Sequence, residues 1–370
     1  MTISLTSWNP SSPLPDAFLG LPAQIYAKDP FWLGEDTATV RQQFSALNPW
    51  FDEGQAWVGV IPGQARLAGF VVPGQLVDGE QAAFFGFWET INALQPNLQL
   101  FDELKSWARA HGATRLYGPI NFTTFGANRL RLDGFEHGAF PGEPWNPDYY
   151  PALMEQLGLD IRYRYISTFA KVDEIIPPVK RDYLRVKPQL EQAIRFKPMT
   201  ADYWVDHLDE LYGFVGQVFG ANFAYTPISL ETFRQVCGAE FARKFCPQTS
   251  VLAESLDGRI AGFFLVYPDY GPLMRQSLPQ PLPASRIDFE SCAALLPSPR
   301  LALAKTGGVH PDFRAFGLFT AMSCELTLRA EGVYDEIAGA LVREDNASLN
   351  FAARHGTARH HHYALYGKHL

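Results

Sequence analysis

The feature that most restricts how this 370-residue chain can fold is a repetition of element order. The first half reads helix (Leu21–Lys28), strand pair (Trp57–Pro62 and Leu67–Pro73, around Gly63), strand (Ala82–Glu89), helix (Leu98–His111), strand (Arg115–Pro119), helix (Pro147–Leu157) and strand (Ile166–Val172). The second half reads helix (Thr200–Gly220), a second helix opening at Ser229, strand pair (Ser250–Ser255 and Arg259–Tyr267), strand (Arg300–Val309), helix (Phe316–Ala330), strand (Glu336–Val342), helix (Ala347–His355) and strand (His361–Gly367). Apolar spacing separates the helices from the strands. Gly112, Gly158, Gly332 and Gly356 stand where helices should stop, and Asp257-Gly258 is a strong hairpin signal. Asn146 to Gly158 parallels Asn346 to Gly356, with Asn at the helix entrance and Gly at its exit. Convergent capping accounts for that likeness alone, but the flanking strands also line up, which favours duplication of one α/β unit. The expected divisions are 1–172, a basic helical connector over 173–198 (KRDYLRVKPQLEQAIRFK lies within it), and 199–370. Residues 1–20, rich in Pro, Ser and Gly, read as a surface arm.

Composition narrows the partners. Charged residues make up 19% and the net charge is −8, with no Lys/Arg-rich block to serve nucleic acid or an anionic membrane. No apolar run approaches the roughly 18 residues of a membrane span, and MTISLTSWNP has neither the basic nor the apolar part of a secretory signal. Cys237, Cys246, Cys292 and Cys324 fit no zinc spacing and are expected to be inert thiols in a reducing cytoplasm. Aromatics, at 14%, must mostly fill cores, and their excess is also compatible with a deep apolar groove.

Chemistry concentrates in Leu301-Ala-Leu-Ala-Lys-Thr-Gly-Gly-Val-His-Pro-Asp-Phe-Arg-Ala-Phe-Gly-Leu-Phe-Thr320. A strand ends at Val309, Pro311 breaks it, and Arg314-Ala-Phe-Gly317 leads into a helix. A turn feeding a helix N-terminus exposes unpaired N–H groups at the positive end of the helix dipole, a site suited to pyrophosphate. Gly317 permits close backbone approach, and Arg314 adds a charge-assisted contact. Neither the Gly-Lys-Ser/Thr ending of a P-loop nor G-x-G-x-x-G is present here.

This stretch resembles the V-x-P-x-x-R-x-x-G-x-G/A motif of GNAT acyltransferases, with Phe319 where Gly or Ala is usual. Asp257-Gly-Arg-Ile-Ala-Gly-Phe263 and Asn346 to Gly356 are similar to that family's second and third strands and its late helix. In the first half, Leu21 to Trp32, Asn48-Pro-Trp-Phe51, Phe84 to Glu89, Tyr117 to Phe122, Asp133-Gly-Phe135 and Asn146 to Tyr150 resemble bacterial double-GNAT proteins of largely unassigned substrate. The resemblance covers nearly the whole chain. It implies an α/β fold of tandem GNAT-like domains, each a mixed central sheet flanked by helices, with a degenerate N-terminal copy. The implied co-substrate is acetyl-CoA or another acyl-CoA. Its cradle would be Gly307, Gly308, Val309, Phe313, Arg314, Ala315, Phe316, Gly317, Leu318 and Phe319, with Asn346. The thioester would lie between Leu301–Val309 and Glu336–Val342. The corresponding strand Ala82–Glu89 is followed by Thr90-Ile-Asn-Ala-Leu-Gln-Pro96, without Arg or Gly for a phosphate cradle, so the first unit is expected to be structural.

Proton-handling groups are less clearly marked. The strand before the loop carries Lys305 and Thr306 but no acid, and the late helix carries Phe351, Ala352 and Ala353 where the family often has Tyr. Tyr363, Tyr366 and Glu254 are substitutes, beside a base from solvent or substrate. His360-His-His362 is not read as a metal site, because alternate strand residues point to opposite faces. The leading expectation is acyl transfer to a small-molecule amine. An aminoacyl-tRNA-dependent transferase is the alternative enzyme, disfavoured by the net charge and the Arg314–Gly317 loop. An acyl-CoA-binding sensor without turnover is the non-enzymatic alternative.

Overall fold

The computed structural model describes residues 8–370 except Ala221, Pro279, Pro281 and Pro283; of Ala284, Ala315 and Phe316 it describes the backbone alone. Its strands are β1 (Gln55–Ile61), β2 (Ala65–Val77), β3 (Glu80–Thr90), β4 (Arg115–Gly118), β5 (Leu130–Arg131), β6 (Asp160–Lys171), β7 (Ile194–Pro198), β8 (Val251–Ser255), β9 (Ile260–Pro268), β10 (Leu301–Val309), β11 (Glu336–Arg343) and β12 (Arg359–His369). The chain divides into two compact units. Unit 1 comprises Met1–Arg164, Ser277–Pro281 and His362–Leu370; unit 2 comprises Tyr165–Gln276 and Leu282–His361.

In unit 1 the order is β1-β2-β3-β4-β12, with β5 also on β12. All pairs are antiparallel except β3–β4. In unit 2 the order is β7-β8-β9-β10-β11-β6, again antiparallel except for one pair, β10–β11. Each unit is thus an antiparallel meander, one parallel step and a final antiparallel strand. This is the repeated unit read from the sequence, with one correction. The strand expected to close the first half, Ile166–Val172, pairs with β11 in unit 2, and the strand expected to close the second half pairs with β4 in unit 1.

The cores follow from the apolar faces. The helix Leu94–Ala110 presses Leu100, Phe101, Leu104 and Ala108 against Leu67, Ala83 and Phe85. A fully buried leucine of this kind contributes about 1.5–3 kcal/mol. Elsewhere in unit 1 the rings of Phe18, Phe44, Phe70, Phe87 and Phe122 pack edge-on and tilted, with centroids 4.4–6.3 Å apart. These aromatics fill a core, not a groove. In unit 2, helices Leu318–Arg329 and Val172–Leu190 cover one set of buried side chains, and Trp204, Phe214, Phe233 and Phe263 form another.

Two local expectations change. The proline-rich start is not all arm: Pro15 precedes a helix, Asp16–Ile25, that buries Phe18, Leu19 and Leu21. The basic connector is helix over Val172–Leu190 and then strand β7, paired with β8. Among the described residues no helix is long and apolar enough to cross a membrane.

Candidate functional site

In unit 2 the parallel ladder between β10 and β11 runs from Leu301↔Glu336 to Ala304↔Gly339 and stops there. Both strands continue, but with other partners. β10 follows β9 as far as Val309↔Gly262, and β11 follows β6 as far as Arg343↔Tyr165. A bulge at Lys305 and a register break after Gly339 accompany the parting. Within the latter, Leu341 has φ 58° and its N–H donates to Ser167 Oγ at 3.0 Å. Bulges that bend a strand in this way recur beside sites. The gap lies between two main chains, where an extended ligand can meet backbone groups.

The loop after β10 is a tight turn. His310 N–H donates to Ala261 O and Phe313 N–H to His310 O, both at 2.9 Å. Pro311–Phe316 forms a 3₁₀ turn that ends on Gly317 in the left-handed region, φ 65°. Helix Leu318–Arg329 starts there, and no side chain caps it, so its first N–H groups lack a capping side chain. A Cβ built on Gly317 would meet nothing within 4 Å. Arg314 is exposed and spends only Nε, on Val309 O at 3.3 Å; its terminal nitrogens have no partner among the described residues. Arg259, the neighbouring cation, is already engaged. It donates to Asp312 at 2.7 Å, holding that carboxyl below the usual range, and its guanidinium lies over the Phe313 ring.

Packing accounts for several of the other expected cradle residues. A Cβ on Gly307 would strike the Phe264 ring at 2.4 Å, and one on Gly308 would strike Val218 at 2.5 Å. Val309 and Leu318 are buried, and Phe319 lies one residue inside the helix with its ring 5.2 Å from that of Phe264. The turn closes at Gly317, so Phe319 does not loosen it. The side chains of Ala315 and Phe316 lie outside what the structure describes. Asn346 is exposed and accepts from Ser348 N–H at 2.9 Å, organising the entrance to helix Leu349–His355.

The two catalytic candidates belong to different units. Tyr363 is wholly buried in unit 1, its hydroxyl donating to the buried Glu143, which is 3.4 Å from Arg131. Tyr366 packs in the unit 1 core. Glu254, on β8 in unit 2, forms an ion pair with Lys197 on β7. The three histidines separate: His361 packs on Phe169, His362 pairs with Asp133 at 2.6 Å, and His360 contacts Thr357 at 2.8 Å. All four cysteines are buried and unpaired, and burial pushes the Cys237 and Cys324 thiols up to about 12.

Unit 1 treats the equivalent gap differently. β3 and β4 also part after three pairs, at Phe84↔Tyr117, and β3 carries its own bulge near Phe87. Here the Tyr117–Phe122 loop fills the opening. Ile120 N–H donates to Phe85 O at 2.7 Å, and Phe87 N–H donates to Asn121 Oδ1 at 2.8 Å. A Cβ on Gly86 would stand 2.5 Å from that Asn121 oxygen. The main chain beyond the parting of β3 and β4 is thus occupied. One group escaped sequence reading: Glu89, at the end of β3, is held by two tyrosines. Its one signal was a lone acid closing the apolar run AAFFGFW.

Repeated sheets with parting parallel strands, and a glycine turn feeding a helix in one of them, define the class first: the chain has a tandem GNAT fold. A tandem GNAT protein from the clavulanic acid biosynthesis pathway matches 96% of this chain and 94% of its own, with a TM-score of 0.50 and 13% identity, a likeness of fold. Among sequence relatives, Protein YghO of Escherichia coli K12 is 29% identical over 154 residues, 38% of each chain. The bacterial ceramide synthase of Caulobacter vibrioides is 23% identical over 262 residues, 68% of this chain and 66% of its own. The matched region thus spans less than two thirds of either relative's length. No family profile matches the chain.

Proposed function

We propose that this chain is an acyl-CoA-dependent N-acyltransferase, with the co-substrate bound by unit 2. The observation that carries the reading is the uncapped helix start at Gly317, with open space in front of it and Arg314 beside it. The site residues fit the group: first-turn N–H groups and a guanidinium suit a pyrophosphate, and the parting of β10 from β11 suits an extended pantetheine arm. Backbone N–H groups of β10 would polarise the thioester carbonyl. A neutral amine then adds to that carbon, and the C–S bond breaks to release CoA thiol and leave an amide. The amine must lose a proton on the way. With neither Tyr363 nor Glu254 free of a partner, solvent is the favoured acceptor of that proton.

The ceramide synthase likeness suggests the first acceptor class to try. A ceramide is an N-acylated long-chain amino alcohol, so a long-chain amino alcohol and a long acyl chain head the panel, ahead of small amines such as amino acids. The test is thermal shift with free CoA, acetyl-CoA and palmitoyl-CoA, followed by thiol release with each amine. Absence of stabilisation by every CoA species would sink the reading. Binding without thiol release on any amine would move it to an acyl-CoA sensor.

A further inference from the structure

Unit 1 holds a carboxylate that the acyl-CoA reading does not use. Glu89 Oε2 accepts from Tyr26 at 2.9 Å and Tyr150 at 2.7 Å. The Tyr150 hydroxyl also accepts from Thr90 N–H at 2.8 Å, which directs its proton at Glu89. Oε1 has no partner among the described residues. It is not sealed either: Glu89 keeps accessible surface, while Tyr26, Thr90 and Tyr150 around it are buried. Glu89 is thus a partly exposed carboxylate among buried neighbours. Aromatic rings make the surroundings. Tyr26 stacks on the half-buried Trp32 with centroids 5.2 Å apart, and Tyr149 packs on Tyr150 at the same distance.

Charge decides which ligand such a carboxylate takes. Arg66 is the neighbouring cation, but its terminal nitrogens are committed to Glu35, at 2.8 and 2.6 Å, and to Phe18 O. Arg66 still attracts Glu89 through space, more strongly than Glu35 repels it, but its hydrogen bonds go to Glu35 and Phe18 and not to Glu89. An anion would be repelled. A hard metal ion needs several oxygen ligands, and no group of three or more His, Cys, Asp or Glu able to hold one occurs among the described residues. A carboxylate among aromatic faces is the chemistry that recognises an ammonium group.

We propose that this partly exposed carboxylate binds a primary ammonium group, with Glu89 as its counter-ion and Tyr26, Tyr149 and Tyr150 around it. The proposal concerns unit 1 alone and stands apart from acyl-CoA binding in unit 2. Burial, against the pull of Arg66, raises Glu89 from 4.5 to about 7. The other ionisable groups facing it are Glu35, Arg66, Tyr26, Tyr149 and Tyr150, and all three tyrosines are pushed above their usual range.

Calorimetric titration of the full chain with n-octylamine and n-octanol tests this, with acetyl-CoA titrated separately. Octylamine should bind at least about tenfold tighter than octanol, and Glu89→Gln should lose that advantage. In the wild-type chain, octylamine affinity should rise by about tenfold from pH 6 to pH 8 as Glu89 ionises. This measurement stands even if the variant misfolds. Equal binding of amine and alcohol, unchanged amine affinity in folded Glu89→Gln, a flat pH profile, or no amine binding at millimolar concentration would each overturn it. Acetyl-CoA binding reads unit 2 separately, so such a failure is distinguishable from failure of the acyltransferase reading.

Discussion

Gly317→Ala, compared with Gly258→Ala, isolates the loop's role from its backbone strain. Both glycines lie in unit 2 with positive φ, 65° and 87°, and a Cβ at either would meet nothing within 4 Å. Neither substitution creates a clash. Each forces a non-glycine residue into the left-handed region, at about 1–2 kcal/mol, and should lower the melting temperature by a few degrees, roughly 2–4 °C per kcal/mol. The two differ in what lies in front of them. Gly258 turns a hairpin between β8 and β9, whereas Gly317 starts an uncapped twelve-residue helix. A methyl at Gly317 intrudes where a pyrophosphate would approach the first N–H groups. Losing one hydrogen bond to a charged oxygen removes about 1.5–3 kcal/mol, at least about tenfold in affinity. Calorimetric titration with acetyl-CoA, beside thermal melts, reads both quantities. Matched melting losses with a binding loss in Gly317→Ala alone are expected. Equal acetyl-CoA affinity in the two variants would refute the placement of the phosphate at this turn.

Three further perturbations separate the remaining claims. Arg314→Glu should leave melting unchanged, because the side chain is exposed, while lowering acetyl-CoA affinity by about tenfold or more and flattening its salt dependence; a variant that binds as tightly as the wild type shows that Arg314 does not face the ligand. Asn121→Ala strands the Phe87 N–H and should cost about 1–3 kcal/mol in denaturant unfolding; no measurable loss would mean that the loop is not held by this bond. Glu89 binds its proton more tightly folded, at about 7, than unfolded, near 4.5, so wild-type stability should fall as pH rises through that interval and level off above it. Glu89→Gln has no such group and should gain on the wild type by at most on the order of 3 kcal/mol at pH 8, and a pH-independent difference would contradict the burial argument.

Much of the fold was legible because its turns demand glycine. Gly63 and Gly258 turn the two hairpins, and Gly112, Gly158 and Gly332 follow helices; all five have φ between 69° and 87°. Backbone geometry of that kind is local, so a local pattern reports it. The loop is legible for the same reason, through Pro311 and Gly317. Strand exchange is not local. β6 and β12 are both strand-forming segments that follow a helix, and each has a partner far away in sequence: Lys171 opposite Glu336, and Tyr366 opposite Gly118. Nothing in either segment distinguishes the edge it joins. The helix at Asp16 was hidden by composition, since Pro15 at its N-cap reads equally well as part of an arm.

The contrast between β3 and β10 joins the legible part to the hidden part. Both strands carry a bulge, and both part from a parallel neighbour after three or four pairs. The sequence after β3 lacks the Arg and Gly of a phosphate loop, which is one argument that unit 1 holds no CoA. Asn121 and Ile120 bonded to the β3 main chain are a second, independent argument, because they occupy the opening itself. The two make different demands. Grafting the Arg314–Gly317 turn behind β3 would supply an anion site but leave the pantetheine path blocked. Removing Asn121 would open the path without a place for the pyrophosphate. On the proposed reading, unit 1 would need both changes to bind CoA, and a single substitution would not supply them. The end of β3 instead carries Glu89, a carboxylate that would be out of place beside a pyrophosphate and that the ammonium proposal uses.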